Sequence, residues 1–463
     1  MIGNSAIAAD VVVVGSGISG LVSAWELQRR GAQVLVLEAA SRTGGCIATT
    51  PEHGCLLESG PNSALETTPL IGPLLEALGI AGERIAATPQ ARNRYILRDG
   101  RLHALPLSPF AFLTTSLFSA RAKLRLLREP FIPRGAPDAE ESVAAFVRRR
   151  LGTEFLDYAI NPFVGGVYAG DPETLSVASA FPRLYQLEQE HGSLIRGMFA
   201  GARARRRDPE KSKQSAPMFA FRNGMQTLTD AIARRLARIE LGTKVESVTA
   251  DDGYVITARG ADGRHEFHAR ALLLAVPAYA AAEIIEPLAP RAAAVLAAIA
   301  YPPVVVVHSA YRRGAVAHPL DGFGLLVPEC EGKQTLGTIF SSTLFAQRAP
   351  AGVALLTTFV GGARQPNLAR LDDGEILDIV HAEHAALLGV SARPEFVRIT
   401  RWPRAIPQYA LGHAARIRQI EDAERRLPGL FFCANYRGGV SIGDCIKSAG
   451  LAAEKAATFL HST

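Results

Sequence analysis

Six consecutive residues, Gly15-Ser16-Gly17-Ile18-Ser19-Gly20, carry the clearest chemical signal in the chain. A G-x-G-x-x-G pattern alone says little. Here it follows a run of four valines, 11–14, and opens a helical pattern, which is the context of a dinucleotide cradle. Gly15 permits the tight turn, Gly17 leaves bare backbone for a pyrophosphate, and Gly20 lets helix and strand pack closely. The helix N-terminus offers free N–H groups and a partial positive charge to the phosphates. Eighteen residues past Gly20, at the end of a second apolar run, stands Glu38. A carboxylate there accepts from ribose hydroxyls and repels a 2′-phosphate.

These residues need a strand, a glycine turn, a helix and a second strand, and residues 10–38 supply that pattern, with Gly31 ending the helix. Further along, 95–105 reads as a hairpin turning at Asp99-Gly100, and 244–258 as another turning at Asp252-Gly253. Residues 271–276 form a buried strand pattern. Segment 301–358 is rich in short strands, including 304–307, with a further strand at 352–360. Residues 373–388 are helical, 429–435 strand-like, and 442–460 a long final helix. Residues 106–215 are mostly helical by pattern. No internal repeat is visible. The order predicts an α/β protein: a Rossmann-like nucleotide-binding domain built from separated segments 1–88, 216–280 and 396–463. A helical domain, 89–215, and an α+β substrate domain, 281–395, are inserted between them.

At 463 residues the chain is too long for one compact core, and its 20% charged and 48% hydrophobic content excludes disorder, collagen and coiled coil. Its five cysteines include no C-x-x-C pair, which argues against a disulfide framework or structural zinc site and for a reducing compartment. The start of the chain lacks a basic-then-apolar leader. The most apolar stretch, 271–285, is too short to span a bilayer and contains Pro277. These features predict a cytoplasmic protein whose contact with a membrane, at its inner face, is peripheral.

The net charge of +6 sits in one place. Residues 89–215 hold 20 Lys+Arg against 13 Asp+Glu, a net of +7, and the remainder is −1. One cluster is Arg121, Lys123, Arg125, Arg128 and Arg134; the other is Arg203, Arg205, Arg206, Arg207, Lys211 and Lys213. Phe110, Phe112, Leu113, Leu117, Phe118, Leu124, Leu126 and Leu127 lie beside the first. Such a mixture suits either a solvated surface or an anionic membrane surface. No nucleic-acid module accompanies the charge, so nucleic acid is not an expected partner. His381 and His384 are spaced i, i+3, unlike a zincin pair, and no metal site is assigned. Ser341-Ser342 belongs to no nucleophile elbow.

Beyond Glu38 the residues Ala39, Ala40, Ser41, Arg42, Thr43, Gly44 and Gly45 extend the fingerprint past what an NAD site needs. With Glu58-Ser59-Gly60-Pro61-Asn62-Ser63 and with 435–445, which contains Gly438-Gly439-Val440-Ser441-Ile442, they resemble the flavin-containing amine oxidase superfamily. The resemblance implies FAD, held by Gly15, Ser16, Gly17, Ile18, Ser19, Gly20, Glu38, Ala39, Arg42, Gly45, Cys46, Gly60, Pro61, Asn62, Ser63, Val245, Trp402, Gly439, Val440, Ser441 and Ile442. Within the superfamily, several runs resemble the oxygen-dependent protoporphyrinogen oxidase family. They are Arg92-Asn93-Arg94-Tyr95, 163–171, Phe181-Pro182-Arg183-Leu184, 224–228, 322–328, Ile406-Pro407-Gln408-Tyr409 and Asp444-Cys445-Ile446.

That likeness implies a six-electron oxidation of protoporphyrinogen IX, a step of haem and porphyrin biosynthesis. Three rounds of hydride transfer to the flavin would each be followed by reoxidation with O2, giving hydrogen peroxide. Arg94 would pair with a propionate, which a guanidinium does bidentately. Leu326 and Ile339 would sandwich the macrocycle, Phe359 would stack on another ring, and Phe323, Gly324 and Gly166 would line the pocket. No side chain is assigned as a general base, because the flavin carries the chemistry. Coproporphyrinogen III as substrate, an amine oxidase of the same fold, a polyene desaturase and a non-catalytic flavin scaffold remain open, as does a homodimer.

Overall fold

A computed structural model describes residues 7–136, 139–204 and 216–462. Arg205, Arg206, Arg207, Lys211 and Lys213 of the second basic cluster lie outside the described residues. The first sheet runs in the order Ile239–Glu240, Val34–Leu37, Ile7–Val14, Gly263–Leu274, Tyr254–Gly260, Lys244–Ala250, and Leu430–Phe432 joins the far half of Gly263–Leu274. Its centre is parallel and buried on both faces, so these strands read as unbroken apolar runs. Val11, Val13, Val34, Val36, Ala271 and Leu273 point into one core with the helices Ile18–Arg29 and Ile442–Ser462. Val12, Val14, Leu35, Leu37, Leu272 and Leu274 point into the other. Alternation along each strand thus feeds two cores from one sheet.

The second sheet runs Phe396–Trp402, Val304–Arg312, Val353–Gly361, Thr335–Ile339, Gly322–Leu326, Asn93–Arg98, Arg101–Ala104. Two of its strands differ from the division expected by sequence. The hairpin Asn93–Arg98/Arg101–Ala104 was grouped with the helical segment, and Phe396–Trp402 with the nucleotide-binding segments; both are edges of this sheet. The cause is pairing between strands distant in sequence: Arg94 and Tyr95 bond alongside Gly324 and Leu325, a register that local pattern cannot reveal. One face is covered by the helix Asp373–Leu388, which starts at an Asp372/Glu375 capping box and ends at Gly389. His384 of that helix is buried and bonds to the hydroxyls of Thr358 (2.9 Å) and Tyr311 (3.0 Å).

The helical unit packs around Phe118, Phe146, Phe155 and Val164, with the Phe118 and Phe155 rings stacked at 4.3 Å. Arg150 is fully buried there, flanked by Glu129 and Glu188, and Glu129 also accepts the N–H groups of Leu194 and Ile195. Paired and hydrogen-bonded on both sides, these charges satisfy the condition for burial. Of the apolar residues beside the first basic cluster, Leu117 and Phe118 are core and Phe112 packs on it. Phe110, Leu113, Leu124, Leu127 and Phe131 are exposed, Phe110 by 76% and Phe131 by 80%. No helix among the described residues is long and apolar enough to cross a membrane.

Candidate active site

The parallel strands of the first sheet end side by side at Leu37, Val14, Leu274 and Phe432, and the loops beyond them converge on one edge. Gly15 takes φ +98°, open to glycine but strained for other residues. A Cβ on Gly20 would fall 1.9 Å from the Gly15 carbonyl oxygen, whereas a Cβ on Gly17 would meet nothing within 4 Å. Gly15 and Gly20 are therefore fixed by the fold, and Gly17 faces free space above the N-terminus of Ile18–Arg29. That combination fits a pyrophosphate, which needs close approach to backbone N–H groups. Ser19 and Ile18 are buried in the first turn of the helix.

Glu38 Oε2 accepts from the N–H and the hydroxyl of Ser16 (2.7 Å each), and Oε1 accepts from the Ala40 N–H (2.8 Å). The carboxylate is thus oriented across the strand tips with Ala39 exposed beside it. Val245 is buried in the second core, which leaves only its backbone open to a ligand, and a bulge between Val245 and Ser247 interrupts the ladder there. Gly44 bridges to Gly17 with its N–H on the Ser16 carbonyl (2.8 Å), which lays the second glycine pair against the first. Arg42 donates to the carbonyls of Thr43 (3.0 Å) and Gly45 (2.6 Å) and so stiffens this loop from within.

Segment 59–63 lies against the same loop: a Cβ on Gly60 would come 2.1 Å from the Cys46 carbonyl oxygen. Trp402 Nε1 donates to the Ser59 carbonyl (2.8 Å), and Asn62 to that of Gly60 (3.3 Å). Pro61 and Ser63 are half-buried in this strip. From the other side arrives 435–441, where Gly438 (φ +83°) and Gly439 (φ +123°) lead through Val440 and Ser441 to Ile442. The Ser441 hydroxyl accepts from the Asp444 N–H (3.2 Å) and donates to the Asp444 carboxylate (2.6 Å), so Ser441 caps the last helix. The glycine turn, Glu38, the loop 39–46, segment 59–63 and the loop 435–441 thus converge near this edge, while Trp402 comes from the second sheet and Val245 from the edge strand Lys244–Ala250.

Sequence reasoning missed what holds segment 59–63 from behind. Glu58 and Arg348 form an ion pair of 2.9 Å, each side chain only 2% exposed. Glu58 also accepts from the Met225 N–H (2.9 Å) and the Thr49 hydroxyl (2.8 Å). Burial pushes the Glu58 carboxyl up and the Arg348 guanidinium down, each only partly offset by the other. The run 224–228 is explained by the same contact: Gly224, at φ +97°, leaves no room for a Cβ beside Thr49. A lone glutamate before Ser-Gly-Pro-Asn gave no sign of this, because its partner lies 290 residues away.

The residues expected at a substrate lie on the face of the second sheet opposite the helix Asp373–Leu388. Arg94, Gly324, Ile339 and Thr357 align in register, and Leu326, Gly337 and Phe359 form the next rung. Leu326, Ile339, Phe359 and Phe323 are half-exposed while their strand neighbours are buried. Gly324 takes φ +155°, and a Cβ there would meet the Thr338 carbonyl oxygen at 2.2 Å. Opposite stands the helix Asn161–Tyr168: a Cβ on Gly166 would come 2.5 Å from Leu326 Cδ2. Phe163 and Val167, both exposed on that helix and within a turn of Gly166, belong to the run 163–171 but were given no role at the substrate from sequence. An exposed aromatic one turn before a paired glycine was the available signal.

Arg94 Cζ lies 6.0 Å from the Phe323 ring centroid. No carboxylate among the described residues lies within ion-pairing reach of Arg94, whereas Arg98 is engaged by Glu154 (2.5 Å), Arg348 by Glu58 and Arg364 by Asn161 (2.7 Å). An apolar slot with an uncommitted guanidinium beside it can receive a flat hydrophobic anion.

The family model for flavin containing amine oxidoreductases matches residues 18–457. Protoporphyrinogen oxidase 2, chloroplastic/mitochondrial, of Arabidopsis thaliana is 35% identical over 480 residues, covering 98% of this chain and 94% of its own. The chloroplastic protoporphyrinogen oxidase of Nicotiana tabacum is 36% identical over 481 residues, covering 99% and 87%. Coproporphyrinogen III oxidase of Bacillus subtilis is 29% identical over 472 residues, with 98% of each chain covered. Among solved structures, an Exiguobacterium protein provisionally assigned as a protoporphyrinogen oxidase superposes with TM-score 0.81 at 24% identity over 98% of this chain and all of its own. A reduced UDP-galactopyranose mutase does so with TM-score 0.73 at 15% identity, covering 96% and 93%, a likeness of fold alone.

Proposed function

The chain belongs to the flavin containing amine oxidoreductase family and uses FAD, and on that premise we propose that it oxidises protoporphyrinogen IX to protoporphyrin IX with O2. Bound FAD supplies the hydride acceptor that O2 regenerates with release of hydrogen peroxide. The chain's own residues bind, orient and exclude water. The observation that carries the substrate assignment is the half-exposed apolar set Leu326, Ile339, Phe359 and Phe323 beside Arg94. A macrocycle held by that wall has its propionate on the guanidinium and its ring edge directed by the sheet, so orientation is the main contribution to rate. Ring protons leave to solvent, and no side chain is assigned as their acceptor.

Mixing the purified holoprotein with protoporphyrinogen IX under anaerobic conditions is expected to bleach the flavin absorbance within the turnover time. A flavin that stays oxidised removes this reading. Coproporphyrinogen III, with four propionates, is the second reading: the ion pairs of Arg98 with Glu154 and of Arg348 with Glu58 favour the dicarboxylate, and Arg92, exposed two residues before Arg94, is the further cation the second reading would use. A kcat/KM ratio above unity for protoporphyrinogen over coproporphyrinogen is expected; a ratio below unity exchanges the two.

We extend the reading to a surface. Phe110, Leu113, Leu124, Leu127 and Phe131 are exposed among Arg121, Lys123, Arg128 and Arg134, which suits peripheral attachment to an anionic membrane through the helical domain. Sedimentation with vesicles containing phosphatidylserine, lost at high salt and in a variant carrying Phe110→Ser and Phe131→Ser, tests it. Equal binding to neutral vesicles, or none to either, counts against it.

A further inference from the structure

The loop 435–441 leaves the strand Leu430–Phe432 on the same edge as the glycine turn, and one buried phenol holds it at both ends. Tyr409, 3% exposed, donates its hydroxyl hydrogen to the Asn435 carbonyl (2.7 Å) and accepts from the Gly439 N–H (2.8 Å). Its ring stacks on His413 at 4.3 Å and 11°, and His413 Nε2 donates to the Tyr436 carbonyl (3.0 Å). Three main-chain groups of one short loop are thus fixed by two stacked side chains. The loop needs such support, because Gly438 and Gly439 both take positive φ and restrain it little by themselves.

The same segment reaches the slot. Gln408 Nε2 donates to the Tyr168 carbonyl (2.9 Å), and the Ser176 N–H donates to the Tyr409 carbonyl (2.9 Å). Tyr168 ends the helix Asn161–Tyr168, whose Gly166 lies against Leu326. Neighbouring residues therefore tie down the loop that opens the last helix and the helix that walls the slot.

We propose that Tyr409, seconded by His413, is a positioning residue that fixes the loop 435–441 against bound FAD and holds it in register with the substrate wall through Gln408. This rests on the FAD reading of the first-sheet edge. The physical consequence concerns charge. The loop leads into the N-terminus of Ile442–Ser462, whose N–H groups favour negative charge, and reduction of FAD adds negative charge. Correct aim stabilises the reduced form more than the oxidised form, so Tyr409 raises the midpoint potential.

The test compares three purified holoproteins: wild type, Tyr409→Phe and Tyr254→Phe. Tyr254 is an equally buried phenol whose hydroxyl bonds to the Leu427 and Pro428 carbonyls at the opposite edge of the same sheet. Tyr409→Phe keeps the ring stack, and its dissociation constant for oxidised FAD, read by flavin fluorescence, is expected to rise about threefold. Affinity for the reduced form is expected to fall about tenfold further, which lowers the two-electron midpoint potential by about 30 mV. Both variants are expected to lower the melting temperature of the apoprotein, and Tyr254→Phe is expected to leave the potential in place.

A wild-type potential in Tyr409→Phe, or an equal shift in Tyr254→Phe, overturns the assignment. Should Tyr409→Phe fail to fold, His413→Phe, which keeps an aromatic stack and loses the bond to Tyr436, carries the same expectation at about threefold, and no shift there overturns it. A wild type that takes up no flavin is a different outcome, since it removes the cofactor reading beneath.

Discussion

At the tips of the first sheet the main chain does the binding, and on the face of the second sheet side chains do. The cradle is built by omission: Gly15, Gly20 and Gly60 leave no room for a Cβ, and Gly17 leaves room for a ligand. The slot is built by addition, from half-buried apolar residues contributed by neighbouring strands and an arginine from the inner strand of the edge hairpin. The difference teaches where each tolerates change. A backbone site fails when an atom is added, whichever atom it is. A side-chain site fails when the right group is removed and otherwise degrades gradually.

The largest effect expected from that contrast is at Gly20. An alanine methyl would fall 1.9 Å from the Gly15 carbonyl oxygen, so Gly20→Ala displaces the turn itself, and flavin content measured on the purified protein is expected to be near zero. Gly17→Ala separates folding from binding. Gly17 has extended backbone at φ −65°, and the added methyl meets no protein atom within 4 Å. The apoprotein is expected to melt with wild type, while FAD affinity falls about ten- to hundredfold, the range of forcing a methyl into a filled site. Equal flavin affinity in Gly17→Ala would show that the pyrophosphate lies elsewhere.

In the slot the corresponding change is Arg94→Ala. Hydrogen bonds to a charged group are worth about 1.5–3 kcal/mol, so kcat/KM is expected to fall about ten- to hundredfold, nearly all of it in KM, with flavin content unchanged. A loss confined to kcat would place the guanidinium at the reacting carbon instead of at a side arm. Gly166→Ala is a smaller test of the opposite wall. Its methyl would meet Leu326 Cδ2 at 2.5 Å, the movable end of a side chain, so the wall yields. A rise of a few-fold in KM is expected with FAD affinity intact, against the near-total loss at Gly20.

The same contrast governs what could be read from the sequence. The cradle was legible residue by residue, because a βα turn is local: three glycines, a helix, the second strand and Glu38 fall within 24 residues, Gly15 to Glu38. The slot was legible only through likeness to a family. Arg94 joins Gly324, Ile339 and Thr357 through a pairing with Gly324 that spans more than two hundred residues, and nothing in a hairpin sequence says which strand it will join. For the same reason Asn93–Ala104 was assigned to the helical segment. The buried pairs Glu58–Arg348 and Tyr409 with the loop 435–441 were invisible too. They support functional segments from distant parts of the chain and carry no local pattern. Helix Asp373–Leu388, with its capping box and terminal glycine, was read to the residue because both its ends are chemically marked.

The smallest effect probes the end of the slot's rung that the sheet covers. Beyond Thr357 the register continues to His308, 1% exposed, whose ring nitrogens make no well-formed hydrogen bond. Burial drives its pKa down to about 4, with the nearby main chain of Glu58 and Arg398 offsetting only part of the fall. Unfolded, a histidine titrates near 6.5, so between about 6.5 and 4 the unfolded chain holds a proton that the folded chain does not. Stability from this residue is therefore complete above about pH 6.5 and declines as pH falls through that window. His384, buried and lowered to about 3, adds a decline of the same sign. His413, also buried and lowered to about 4, acts in the same direction, and His308→Leu removes one of these protons and a polar ring from the valine strand. At pH 7 it is expected to melt no lower than wild type, and between pH 6.5 and 4 its melting temperature should fall less steeply. A variant that melts lower at pH 7 would mean that the imidazole is bonded to the Glu58 backbone in solution, and that this rung, like the cradle, is tied to the segment beside the flavin.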